Sequence, residues 1–186
     1  MKLDEIPFED EAFKAAVLAT GETEAEAVTV VNGRRQSIKS VKGIEYLPNL
    51  KVLDVTRNKI ATIDVSANPK LEQLFIGNNQ LESLDVSALQ QLEGLEIFMN
   101  DIAELDLSHN PRLEVLYANA NDFDELDLSA NSELIEVLLS DNSLKQIKLP
   151  EGASFDLFNA ENNLFSDDDK LLLAQQLQQS GCQARL

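Results

Sequence analysis

The chain predicts an α/β repeat solenoid, with parallel strands stacked into one concave sheet, extended segments behind it and a helical cap at either end. Three observations carry this. Asparagines recur every 21 residues, at Asn58, Asn79, Asn100, Asn121, Asn142 and Asn163, and a fixed period in this range marks stacked coils. Around each Asn the same apolar frame returns, without the 3.6-residue period of a helix. The flanks break the frame and read as helices.

Six units start at Leu50, Leu71, Leu92, Leu113, Leu134 and Phe155. In the second unit the frame is Leu71, Leu74, Ile76, Leu81, Leu84 and Val86 around Asn79. Leu74 and Ile76 are two apart, the spacing of a strand with one buried face. Leu84 and Val86 repeat that spacing, so each coil should carry a second, extended back segment. Between the two, chain leaving the strand holds N–H and C=O groups that no ladder partner reaches. A carboxamide offers two donors and an acceptor to such groups, and Asn suits turns. The six asparagines are therefore expected to form a structural ladder, each bridging its own coil and a neighbour.

At the N-terminal end, residues 8–20 read as a helix with Glu9, Asp10 and Glu11 in its first turn and Gly21 just past its end. Phe8, Phe13, Val17 and Leu18 are placed to cover the first coil. At the other end Ser166 is the expected N-cap before Asp167, Asp168 and Asp169. Leu172, Leu173 and Leu177 would lid the sixth coil, with the helix stopping at Gly181. Such caps protect the open edges of a solenoid. The expected organisation is one continuous, complete domain: residues 1–49 as cap and degenerate entry repeat, 50–165 as six repeats, and 166–186 as capping helix and polar tail.

The pattern LxxLxLxxNxLxxLDLSxNPx over residues 50–165 resembles the leucine-rich repeat, in the short bacterial form of internalin-like and Bacteroides-type surface proteins. QSIKSVKGIEYLPNL (36–50) is similar to the entry repeat of that family, and IPFEDEAFKAAVLA (6–19) to its N-terminal helical cap. Departures are few. Ala118 and Ala160 are small at the sixth position, Ala88-Leu89-Gln90 replaces x-Asn-Pro, and Lys148-Leu149-Pro150 breaks the LDLS segment of unit five. The resemblance implies a recognition module and names no partner.

A net charge of −18 disfavours nucleic acid and anionic membrane as partners and either favours a basic one or serves as a solvated acidic surface that keeps an extended protein in solution. Residues 34–59 run against the trend, with seven basic side chains to two acidic. One cysteine, Cys182, excludes a disulfide framework and a multi-cysteine metal site. No run approaches the ~18 apolar residues of a membrane span. Residues 1–13 hold no apolar signal region, so the chain as written is expected in the cytoplasm. The resemblance favours a secreted or cell-surface setting if a leader was removed.

Asp64, Asp85, Asp106 and Asp127 form an ordered back series, each followed two residues later by a Ser. Local bonding of turn backbone is the expected role, with a Ca²⁺ ladder as the alternative. No cofactor and no metal are expected. His109 is the only histidine, and there is no phosphate-cradling loop, GxSxG or zinc signature. An open sheet also lacks the cleft that a carboxylate pair needs for glycoside hydrolysis, so no catalytic residue is assigned and an enzyme is not expected.

Function is expected on the front strands. If positions 4 and 6 of each unit point inward, positions 3, 5 and 7 face solvent. Phe75, Phe98, Tyr117 and Leu138 then make a diagonal apolar cluster, with Val115 beside it, Met99 at its rim, and Glu96 and Glu136 supplying charge. Aromatic anchors with a polar rim are the usual anatomy of a protein interface. Gly77 and Gly94 are expected to open shallow pockets beside the aromatics. The expected function is a non-catalytic module binding a protein partner on this face. A carbohydrate- or cell-wall-binding module and a homodimer contact are the alternatives.

Overall fold

The computed structural model describes residues 1–178 and 182–186. Its front is one parallel sheet of eight three-residue strands in the order β1-β2-β3-β4-β5-β7-β9-β10. These are β1 (Val30–Asn32), β2 (Val52–Asp54), β3 (Gln73–Phe75), β4 (Gly94–Glu96), β5 (Val115–Tyr117), β7 (Glu136–Leu138), β9 (Leu157–Asn159) and β10 (Gln183–Arg185). The register is constant, so Leu53, Leu74, Leu95, Leu116, Val137 and Phe158 form one row. All six are fully buried, as period-two spacing with one inward face requires. The solenoid, its parallel sheet and its stacked coils are those the repeat predicts.

The sheet extends beyond the six units at both ends. Val31 and Gly33 already follow the inward spacing, so the coil before Leu50 carries a front strand of its own, upstream of the stretch read as the entry repeat. The tail is no loose polar end, because β10 pairs in parallel with β9 and sets Ala184 opposite Phe158. Cys182 is half-buried there, and burial pushes its thiol up. The expected back strands form in two coils, where β6 (Glu125–Asp127) pairs with β8 (Gln146–Lys148); among the described residues the other coils turn without a back ladder.

Each of the six asparagines bridges coils. Asn79 donates from Nδ2 to the carbonyls of Ile76 in its own coil (2.9 Å) and Val55 in the one before (3.0 Å), while its Oδ1 accepts the Ile60 N–H at 3.0 Å. Asn100, Asn121 and Asn142, in the middle of the stack, are buried. The sharp turn itself belongs to the preceding residue. Arg57, Asn78, Met99, Ala120, Asp141 and Asn162 all have φ between 54° and 60°, a left-handed conformation that Asn tolerates and Ala or Met does not favour.

A second ladder runs behind the first. Asn68, Asn110 and Asn131 are fully buried, and each donates twice to carbonyls of the preceding coil; Asn110 reaches those of Val86 and Leu89 at 2.9 Å. Their Oδ1 atoms have no hydrogen-bond partner. In unit two the place is taken by Leu89, also fully buried.

The N-terminal helix is shorter than its sequence suggests. It runs as α1 (Glu11–Leu18), with Asp10 as N-cap rather than in the first turn, accepting the N–H groups of Ala12 (2.8 Å) and Phe13 (3.1 Å). Its other oxygen accepts the Lys39 N–H at 2.8 Å, tying the cap to the first coil. Burial acts to raise the Asp10 carboxyl, but these N–H bonds outweigh it and hold the pKa low. Phe13 and Val17 are buried, whereas Leu18 is exposed because it lies on the outer face. At the far end α2 (Asp167–Gln178) begins at Ser166, whose hydroxyl accepts the Asp169 N–H at 3.1 Å. Leu173 and Leu177 are buried against the stack, but Leu172 is 57% exposed. The helix stop expected at Gly181 falls outside the described residues.

Candidate functional site

The outward row of the concave sheet is continuous across all eight strands: Asn32, Asp54, Phe75, Glu96, Tyr117, Leu138, Asn159 and Arg185. Its ends and its middle behave differently. Asn32, Asp54 and Asn159 each turn a side-chain oxygen onto the backbone N–H two residues ahead, at 3.0–3.2 Å. These short polar side chains satisfy their own turns. Phe75, Glu96, Tyr117 and Leu138 make no such bond, and they stand half-buried on the sheet surface.

Around these four, Phe98 and Val115 are also half-buried, and Met99 is 50% exposed at its left-handed turn. The Asn78 amide contacts the Met99 sulfur at 3.4 Å. Tyr117 donates its hydroxyl to the Glu136 carboxylate, and this bond, with burial, pushes the phenol up to about 12. The structure thus brings all eight of the sequence-predicted side chains to one region of the concave side. It does not leave the expected pockets. The ring of Phe98 lies over Gly77 and the side-chain amide of Gln73 lies over Gly94, so each glycine admits a covering side chain instead of opening space. Thr56, placed by position on the outward face, is in fact 1% exposed.

Glu96 has the least ordinary setting. Burial pushes its carboxyl up, Asp54 pushes the same way, and Arg34 pulls it down. Arg34 is itself drawn to Asp54, 3.9 Å away. The inward spacing of Val31 and Gly33 is the sequence signal that places Arg34 just past the end of β1.

The back face is a different surface. Asp64, Asp85, Asp106 and Asp127 accept the N–H groups of Ser66, Ser87, Ser108 and Ser129 at 2.8–3.0 Å. The serine side chains and then these N–H groups hold Asp64, Asp85 and Asp106 below the usual range. Asp127 is drawn down to about 2, first by Lys148 at 2.8 Å. Lys148 occupies the next rung, so a lysine closes the acidic series. Among the described residues no group of three or more His, Cys, Asp or Glu side chains could hold a metal ion. A groove of about 690 Å³ runs over this face between Leu105 and Lys148. Ser108 Oγ and His109 Nδ1 meet at 3.1 Å nearby, as neighbours in an exposed turn. Asp106 accepts the Ser108 N–H through one oxygen, and among the described residues no carboxylate is hydrogen-bonded to the ring.

Residues 48–90 match the family model described as leucine rich repeats in two copies. No curated protein matches the chain. Among solved structures, the functional domain of InlJ from Listeria monocytogenes, which includes a cysteine ladder, is 23% identical with a TM-score of 0.62. That match covers 94% of this chain and 50% of InlJ's, so this chain spans half its length. Internalin C2 of the same bacterium is 20% identical, with a TM-score of 0.58 and 92% of each chain covered. The plant peptide hormone receptor RGFR1 in complex with RGF2 is 24% identical, with a TM-score of 0.51, over 65% of this chain and 23% of its own. No helix of the described residues is long and apolar enough to cross a membrane.

Proposed function

We propose that this chain, a leucine-rich repeat solenoid, is a non-catalytic module that binds a protein partner on its concave sheet. Such solenoids typically serve protein–protein interaction. Phe75, Tyr117 and Leu138 form the apolar seat with Phe98 beside them. Val115 and Met99 border it, and Glu96 and Glu136 supply charge. The observation that carries the reading is the change of character along the outward row. Toward its ends Asn32, Asp54 and Asn159 bond their own backbone, while its centre offers aromatic and acidic groups with no such duty. Side chains that serve neither the core nor the turns are accounted for by a partner.

The structural neighbour RGFR1, solved with RGF2, gives one case of this architecture engaging a peptide hormone. The back face supports a structural role instead, since its carboxylates cap turns. The test is the double variant Phe75→Glu with Tyr117→Glu, compared with wild type in capture from lysate and from culture medium. Loss of captured proteins with unchanged circular dichroism is expected. Retained capture would move the site off the concave sheet.

A further inference from the structure

We infer that the concave site takes an arginine side chain of a basic partner segment, its guanidinium seated on Glu96 between the rings of Phe75 and Tyr117. This rests on the protein-binding reading above and names the chemistry of what is bound. Phe75, Glu96 and Tyr117 are direct Cα partners on adjacent strands β3, β4 and β5. Strands lie about 4.8 Å apart, so a carboxylate stands with an aromatic side chain on each side, one strand away. Phe98, two residues along from Glu96, adds a third ring from its place over Gly77.

Within this frame Glu96 is half-buried, and among the described residues it forms no ion pair and accepts no hydrogen bond from a side chain. Partial burial without a counter-ion is unfavourable for a carboxylate, and that burial, with Asp54 nearby, pushes its pKa up. The neighbouring charges do not cure it. Asp54 repels it, Arg34 is shared with Asp54, and Glu136 adds a second negative charge, held by the Tyr117 hydroxyl. That bond also ties Tyr117 to the next strand, so the ring is positioned before any partner arrives.

A cation is the group that satisfies such a site. Guanidinium suits it better than ammonium, because it is planar, stacks on aromatic rings and presents a fork of donors to a carboxylate. The net charge of −18 draws a basic segment to the molecule and turns away anionic polymers.

A random twelve-residue peptide display library, selected on the wild-type protein, tests this. Enriched peptides are expected to share an arginine. Replacing it by citrulline, which has the same shape without the charge, should weaken binding about tenfold, the size of one charge-assisted hydrogen-bonded pair. On Glu96→Gln the peptide should bind about as weakly, and there the citrulline change should cost little more. Peptides without a basic residue that bind Glu96→Gln as well as wild type, yet fail on Phe75→Glu with Tyr117→Glu, would overturn the arginine seat and leave the concave site standing. If no recovered peptide depends on the concave residues, both readings fall.

Discussion

Replacing a first-ladder asparagine with leucine should destabilise the fold far more than the same change in the second ladder, although both sets are buried amides with two donor bonds. The difference lies in what each substitution orphans. Asn100 donates to the carbonyls of Ile76 and Ile97, but these also receive bonds from Asn79 and Asn121, at 2.9 Å each. What only Asn100 supplies is the acceptor for the Leu81 N–H, at 3.0 Å. Asn100→Leu leaves that buried N–H unpaired, a loss of about 1–3 kcal/mol on top of its two donor bonds. Asn121→Leu does the same to the Ile102 N–H.

In the second ladder nothing is orphaned. The carbonyls that Asn110 reaches, on Val86 and Leu89, already accept the N–H groups of Leu89 (2.9 Å) and Leu92 (3.1 Å). Asn110 Oδ1 is unpaired to begin with, so Asn110→Leu removes an unsatisfied atom while losing two bonds of about 1 kcal/mol each. Leu89 shows that the position accepts leucine within a full stack. Urea unfolding of Asn100→Leu, Asn121→Leu and Asn110→Leu, compared at constant m-value, would measure this. The first two should fall below the third by about 1–3 kcal/mol. Equal losses in all three would refute the claim that the N–H acceptor is what makes the first ladder indispensable.

Ala120 holds φ at 54°, so Ala120→Asn should stabilise the protein by up to ~1 kcal/mol in the same assay, as Asn78 and Asn162 occupy the equivalent turns. Asp10→Ala removes the α1 cap together with its tie to Lys39, and should cost about 0.5–2 kcal/mol, read as a lower denaturant midpoint. Glu96 titrates above its ordinary value in the fold, so the native state holds its proton longer than the unfolded chain, and stability falls as pH rises through that window. Glu96→Gln should therefore melt higher than wild type at neutral pH, with the gain disappearing in acid below the ordinary glutamate range. Asp127 has the opposite sign: its depressed carboxyl favours folding above the ordinary aspartate range, and that contribution is lost as pH falls toward about 2. Asp127→Asn should thus narrow the gap to wild type as acid is added.

The six-coil core was legible because one physical requirement recurs in phase: an inward pair two residues apart, then an amide to close the turn. Where the phase slips, legibility goes with it. The strand at Val30–Asn32 precedes a coil one residue longer than the rest, since Arg35 and Arg57, both at left-handed turns, lie 22 apart. The terminal strand at Gln183–Arg185 follows a helix, and no period reaches it. The second asparagine was legible as a repeat position, with Leu89 as its departure in unit two, but its burial as a ladder depends on neighbouring coils. The concave face was legible as a set of outward positions. The direction each side chain takes was not, because it depends on neighbouring coils; Phe98 settles over Gly77 because that glycine has no side chain to keep the ring away.

Two kinds of residue depart from what local chemistry would choose, and they separate by consequence. Ala120 at a left-handed turn is a local cost that a neighbour could relieve by substitution, and nothing else is attached to it. Glu96 is a local cost with a direction. A half-buried carboxylate flanked by aromatics weakens the free protein at neutral pH, and a glutamine of the same shape would remove the penalty. The same change deletes the unpaired carboxylate between Phe75 and Tyr117. If Glu96→Gln both raises the melting temperature and weakens an arginine peptide, the penalty in the free state and the affinity in the bound state have a single source, the unpaired charge between Phe75 and Tyr117. A variant that melted higher but kept its affinity would reduce Glu96 to an ordinary misfit like Ala120, and the concave site would then rest on its apolar groups alone.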